Sequence, residues 1–334
     1  FKESLLKEGL LGSGGSRLLR GHYPFIEHVE SQLAKFSQCE RALLFPSGYQ
    51  ANLALMSRLL KSGGQVFSDE SNHPSIIDGI RLSRAEKSIW RHQDLNHLED
   101  LLKQTKTAKG LRLVVVESVY SMSGDLADLV SLQGLCESHG AQLIVDEAHA
   151  TGLYGKTGGG RVQELGLQER VFARIHTGGK ALGVSGAWVA GSNKLAEFLV
   201  NEARPFIFST APAHYQVLAL HILLQWMEEN GEELRDRFFS QMQQLYQEIE
   251  KILGNRFEVK GNNSPIVALV LGPNDRALKA MDFLWSQGLD IRGIRPPTVP
   301  KGKAQLRITC PLARTEQQIN RLFAGLRLLK KELP

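Results

Sequence analysis

Leu143-Ile144-Val145-Asp146-Glu147-Ala148-His149 decides how this chain folds. Three large aliphatic residues run unbroken into an acid, where a strand with one wet face would alternate apolar and polar residues. A continuous apolar run of this length fits a strand buried on both faces, as in a parallel sheet. Such a strand delivers Asp146 at its C-terminal end, where open α/β sheets bind their ligands. Working outward, 42–45, 113–117 and 187–190 read as strands of the same kind, and 31–36 and 131–139 have helical spacing. This alternation predicts a mostly parallel sheet with helices on both faces.

From residue 213 the pattern changes to a long helix through 227, a break near Asn230-Gly231, and a second amphipathic helix over 232–253. Beyond it, 266–271 and 305–309 read as strands, and 277–287 and 316–330 as helices. The expected organisation is therefore a large α/β domain over 1–229 and a smaller α+β domain over 230–334.

Composition narrows the function classes. No apolar run is long enough to span a bilayer, so a membrane-spanning role is not expected. The net charge of +5 is spread over scattered lysines and arginines rather than a basic block, which argues against a nucleic-acid partner. Cys39, Cys136 and Cys310 are far apart and form no CxxC or zinc spacing, so no metal site is expected and a reduced, cytoplasmic location is. The chain opens at Phe1 with no signal-peptide pattern, and the missing initiating methionine points to trimming or to a longer natural chain.

Three stretches carry chemistry. An acid at the end of a buried strand can cap a helix, bind a metal, or hold the ring nitrogen of a pyridine cofactor in its cationic form. About thirty residues on comes His176-Thr177-Gly178-Gly179-Lys180-Ala181-Leu182-Gly183, a lysine among small residues. That lysine is either a surface residue in a Gly-rich turn or an amine placed to form an imine with an aldehyde. The glycines there are expected to let the backbone approach a bulky ring. Phe45-Pro46-Ser47-Gly48-Tyr49-Gln50-Ala51-Asn52 passes from a strand into a helix, whose first N–H groups suit a phosphate, although capping alone would account for Ser47. Together the acid, the amine and the phosphate cradle point to pyridoxal 5'-phosphate (PLP), with Lys180 as its Schiff-base lysine and Asp146 on its ring nitrogen.

The order Ser47-Gly48-Tyr49, His73, Glu117 to Asp125, Asp146 to His149 and Thr177 to Lys180 resembles the α-oxoamine synthases, a family of fold-type-I PLP enzymes. Gly12-Ser13-Gly14-Gly15-Ser16-Arg17 and Ile294-Arg295-Pro296-Pro297-Thr298-Val299-Pro300 resemble the biotin-pathway branch, which joins L-alanine to a pimeloyl thioester. The resemblance spans essentially the whole chain. It implies that Gly48 and Tyr49 give backbone N–H groups, and Thr177 a hydroxyl, to the cofactor phosphate. Ala148 and His73 would lie on opposite faces of the ring, and His149 would bond its phenolic oxygen. Ser121 would sit near the ring edge and Glu117 near the catalytic centre. Ser209 and Thr210 would reach the phosphate of a neighbouring subunit, making the enzyme a homodimer. Arg295, with Arg17, falls on the substrate side, where a guanidinium fork suits the amino-acid carboxylate.

The resemblance also implies a segment ahead of Gly12 with an Asn-Asp-Tyr-Leu-Gly-like stretch that shapes the substrate pocket, and here eleven residues precede Gly12. Glu147 stands where many relatives carry a second aspartate. Two other readings remain open: a glycine-using sister such as 2-amino-3-ketobutyrate CoA ligase, and a catalytically silent partner subunit.

Overall fold

In the computed structural model, residues 11–60, 64–105, 110–309 and 315–333 are described, and Cys310 and the first ten residues lie outside them. The chain divides into two units, one of Phe1–Ser118 with Ala127–Glu232, the other of Val119–Leu126 with Glu233–Pro334.

The buried apolar runs of the first unit become a seven-stranded sheet. Its strands are β1 (Arg41–Phe45), β2 (Gln65–Asp69), β3 (Glu86–Trp90), β4 (Arg112–Glu117), β5 (Gln142–Asp146), β6 (Ala173–Thr177) and β7 (Ala187–Gly191), in the order β1-β7-β6-β5-β4-β2-β3. β7 pairs antiparallel with both its neighbours, and the remaining pairs are parallel. Period-two alternation divides the strand residues between two cores. Leu43, Phe45, Ala187 and Val189 join a cluster with Leu55, Val115, Ile144 and Leu199. Ala42, Leu44, Trp188 and Ala190 join another with Ile26, Val29, Leu33 and Leu220. The sheet is thus covered on both faces, as fold-type-I PLP enzymes require.

Sequence pattern does not reveal β2, β3 or β6. β2, Gln-Val-Phe-Ser-Asp, is buried throughout although its ends are polar, while β3, Glu-Lys-Ser-Ile-Trp, is the exposed edge next to it. Charged residues on an edge strand discourage pairing with another chain, so polarity here marks position rather than a loop.

The expected break at Asn230-Gly231 is absent: one helix runs over His214–Leu253. A glycine inside a helix costs about 1 kcal/mol relative to alanine, which is small beside the burial of Leu220 and Leu224 before it and Phe238, Met242 and Leu245 after it. Asn230 Nδ2 also donates back to the Trp226 carbonyl at 2.9 Å, so its amide serves the helix instead of ending it.

The second unit is built on an antiparallel sheet of β8 (Glu258–Lys260), β9 (Ile266–Gly272), β10 (Arg292–Ile294) and β11 (Ala304–Thr309), in the order β10-β11-β9-β8. The helices Asn274–Ser286 and Glu316–Glu332 belong to it, the latter opened by a reciprocal capping box between Thr315 and Gln318. Val119–Leu126 departs from a single cut near residue 230. Arg307 Nε donates to the Ser121 carbonyl at 2.7 Å and Gln305 Nε2 to the Met122 carbonyl at 2.6 Å, tying this segment to β11.

Candidate active site

β4, β5 and β6 are adjacent and parallel, so their C-terminal ends present Glu117, Asp146 and Thr177 along one edge, with Glu117 opposite Asp146 in register. Asp146 is buried, and its two carboxylate oxygens accept from different donors: Oδ1 from the Ala148 backbone N–H at 2.9 Å and Oδ2 from Asn52 Nδ2 at 2.8 Å. The first bond tightens the turn that carries Ala148 and His149. The second comes from the helix Gly48–Leu59, whose buried face includes Asn52.

Lys180 leaves β6 on a loop that closes on itself. Val184 N–H donates to the Gly178 carbonyl and Gly178 N–H to the Gly186 carbonyl, both at 2.9 Å, and Gly183 N–H donates to the Lys180 carbonyl at 3.1 Å. A Cβ on Gly178 would stand 2.6 Å from the Val184 carbonyl oxygen, so this glycine is required by its own loop. Lys180 Nζ lies 2.7 Å from His149 Nε2. One of these two nitrogens accepts and is therefore unprotonated, which joins amine and imidazole in a proton-sharing pair.

His73 N-caps the helix Pro74–Ser83, its Nδ1 accepting from the Ser75 backbone N–H at 3.2 Å. Its neighbour Asn72 anchors it by donating to Ser68 Oγ at 2.9 Å and to the Val115 carbonyl at 2.7 Å, which ties the loop to β2 and β4. Burial lowers the His73 pKa, Asp146 raises it and Lys180 lowers it, so His73 feels both charged members of the cluster.

Ser47 Oγ accepts from Gln50 N–H at 3.3 Å and caps the helix Gly48–Leu59. The first-turn amides of Gly48 and Tyr49 have no intrahelical acceptor and lie at the positive end of the helix dipole. Thr177 Oγ1 lies beside those amides, 3.8 Å from where a Cβ on Gly48 would stand; it accepts from Gly179 N–H at 3.3 Å and donates to the Gly186 carbonyl at 3.4 Å, a long bond from which the hydroxyl can turn toward an anion. One anion can be met by both. Phosphate donors, an amine, a buried carboxylate and two imidazoles therefore fit PLP.

Other expected residues stand elsewhere. Arg17 does not offer its guanidinium to a substrate. It is buried in a two-point pair with Glu30, Nη1 to Oε1 at 2.8 Å and Nη2 to Oε2 at 3.1 Å, while Nε donates to His22 Nδ1 and Nη1 to the Leu44 carbonyl. Four of its five N–H groups are engaged, and the Phe206 ring lies 5.0 Å below it. Ser209 and Thr210 precede a join to the glycine-rich segment: Thr210 bridges to Ser16, and Ala211 N–H donates to the Gly15 carbonyl at 2.9 Å. Ser121 and Arg295 belong to the second unit. There Ser121 is buried with its carbonyl on Arg307, and Arg295 is exposed, its carbonyl accepting from Thr298 N–H at 3.0 Å.

Sequence reading does not single out Asn52 or Ser75, although Asn52 ends the quoted phosphate motif. Its signal is a buried amide among apolar helix positions. Glu147 also gains a role: its fully buried carboxylate accepts from Ser118 Oγ and from the backbone N–H groups of Arg161 and Val162, at 2.5, 3.0 and 2.7 Å. It thereby fixes the loop that follows Asp146.

The model of the family described as aminotransferase class I and II matches residues 2–326. The chain belongs to that family. A curated relative named 8-amino-7-oxononanoate synthase, from Anaeromyxobacter dehalogenans, is 42% identical over 97% of this chain and 80% of its own length. A variant of serine palmitoyltransferase from S. paucimobilis, solved with a bound PLP–myriocin aldimine, superposes with a TM-score of 0.93 at 30% identity, covering 99% of this chain and 82% of that one. A structure of 8-amino-7-oxononanoate synthase from Francisella tularensis gives 0.82 at 29% identity, covering 99% and 92%. This aminotransferase-family chain is a PLP-dependent enzyme of the α-oxoamine synthase type. Among the described residues, no helix is long and apolar enough to cross a membrane.

Proposed function

We propose that this chain is an 8-amino-7-oxononanoate synthase, condensing L-alanine with a pimeloyl thioester in a cytoplasmic homodimer. The observation that carries the reading is the meeting of Lys180 with His149, and of Asp146 with Asn52, at one end of adjacent parallel strands, in a chain whose relatives bear that name. When bound, PLP supplies an electron sink that stabilises negative charge at the amino-acid α-carbon.

The protein's own groups do the rest. Gly48 and Tyr49 N–H and the Thr177 hydroxyl bind the phosphate, with Ser209 and Thr210 reaching that of the neighbouring subunit. The Asp146 carboxylate would hold the ring nitrogen cationic, and family likeness gives Ala148 and His73 the ring faces and Ser121 a place near the ring edge. With the cofactor in place, Lys180 Nζ would be the base that removes the α-proton and the acid that returns one, with His149 Nε2 beside it at 2.7 Å to share its proton. Family likeness gives Arg295 the substrate carboxylate. In the net reaction a bond forms between the alanine α-carbon and the acyl carbonyl carbon, the carbon–sulfur bond breaks to release the thiol carrier, and the alanine carboxylate leaves as carbon dioxide.

The test is carbon dioxide release from protein loaded with PLP, given alanine, glycine or serine against pimeloyl and acetyl thioesters. Release with alanine and the pimeloyl thioester is expected. Preference for glycine with a short acyl group would move the chain to the sister branch, and no release with any pair would leave a silent subunit.

A further inference from the structure

Asn52 and Ser75 stand between two groups of the proposed site. Asn52 Nδ2 donates to Asp146 Oδ2 at 2.8 Å and to Ser75 Oγ at 3.0 Å, and Ser75 Oγ lies 2.7 Å from His73 Nδ1. Asn52 and Ser75 are both buried, so water does not compete for these bonds.

The direction of every bond in this chain is fixed by chemistry. A carboxylate facing an amide nitrogen accepts, so Asn52 presents its NH2 group, and that group's two protons serve Asp146 and Ser75. His73 Nδ1 also lies 3.2 Å from the Ser75 backbone N–H, a group that only donates. A ring nitrogen that accepts from an amide carries no proton. Ser75 Oγ, receiving from Asn52, must therefore give its own proton to Nδ1.

We propose that Asn52 and Ser75 are positioning residues that orient His73 as the neutral tautomer with its proton on Nε2, in a one-way hydrogen-bond chain starting at the Asn52 amide that also holds Asp146. His73 then meets a cofactor or substrate as a donor through Nε2–H, while its stacking face stays fixed. The catalytic consequence rests on the function proposed above, but the proton position does not. The charged groups acting on His73 are Asp146 from the end of β5 and Lys180 from the loop after β6, with opposite effects, and burial adds to that of Lys180 in favouring the neutral ring.

The experiment is nitrogen NMR on protein with 15N-labelled histidine rings, with and without added PLP, with His73 assigned by loss of its signals in His73→Gln. At a pH about two units above the ordinary histidine value of about 6.5, Nδ1 is expected to resonate as a bare nitrogen and Nε2 as a protonated one. Ser75→Ala removes one of the two donors that stabilise the neutral ring, so the His73 titration midpoint should rise by about 0.5–1 unit. Ser75→Thr, which keeps a hydroxyl, should leave it within about 0.2 unit. A proton on Nδ1 in the native protein, or the same midpoint in native and Ser75→Ala, overturns the proposal. The native spectrum decides the matter even where a variant fails to fold. Failure to take up PLP would count against the cofactor reading and leave the proton position measurable in the same sample.

Discussion

Asp146→Asn changes one atom at the centre of the proposed site, and the structure sets what it should do. The carboxylate accepts from Ala148 N–H at 2.9 Å and from Asn52 Nδ2 at 2.8 Å. An asparagine has one carbonyl oxygen, so whichever way its amide turns, its NH2 group faces one of two donors. One hydrogen bond is lost and a buried donor is stranded, at a cost of about 1–3 kcal/mol in stability. The electronic effect is separate. A neutral amide cannot hold the ring nitrogen cationic, and losing that charge-assisted bond alone, about 1.5–3 kcal/mol, corresponds to a rate loss of about 10- to 150-fold. The assay measures PLP uptake by absorbance, the urea midpoint of the protein, and kcat with alanine and a pimeloyl thioester. Adding Asn52→Asp separates the two effects. The carboxylate introduced by that second change would accept from the amide introduced by the first, so part of the lost stability should return while the rate stays low. A single variant that keeps its cofactor and turns over within about threefold of native would refute the assignment of Asp146.

Lys180→Ala should abolish PLP attachment that borohydride can fix, because imine formation needs this amine, while phosphate contacts at Gly48, Tyr49 and Thr177 retain reversible binding; fixation that persists assigns another lysine. Arg295→Lys keeps the charge and loses the two-point fork, so the alanine dissociation constant should rise about 10- to 100-fold with PLP affinity unchanged, and an unaltered alanine affinity would remove Arg295 from the substrate site. The pH dependence of stability tests His176, which is fully buried: Thr151 Oγ1 donates to the Glu147 carbonyl and so accepts from His176 Nδ1, and the ring stacks on Trp188 at 5.1 Å. Burial, then the Arg174 guanidinium, hold its pKa well below the ordinary value. The unfolded chain therefore binds a proton that the folded one refuses, so this contribution is complete above about pH 6.5 and falls by up to about 1.4 kcal/mol per unit as the pH drops. His176→Phe should flatten that acid limb of the urea midpoint, and an identical limb in both proteins would mean His176 titrates normally in the fold.

The parts legible in the sequence are those whose physics is local. Leu143 to Val145 form a doubly buried strand because no polar side chain interrupts them, and such a strand places Asp146 at a ligand-binding end. A lysine among small residues and a short polar turn into a helix are likewise properties of consecutive residues. Local cost also misleads. Gly231 weakens a helix by itself, yet Leu224 before it and Phe238 after it are buried and the helix continues.

What the tertiary structure alone decided is which distant residue each polar side chain meets. Arg17 reads as a substrate arginine in its motif, but Glu30 comes close enough to take its fork, and separating a buried pair costs about 3–5 kcal/mol. Asn52 reads as one polar residue in a helix, and only folding sets its amide against Asp146, far away in the chain, and against Ser75. Glu147 reads as a second acid at a strand end, and only the return of the chain at Arg161 and Val162 supplies its donors. Apolar burial depends on pattern and tolerates many arrangements, whereas a buried hydrogen bond requires a particular partner at about 3 Å. The sequence alone therefore determined the continuously apolar strands and the position of the acid and amine, and three-dimensional proximity determined which side chains orient them.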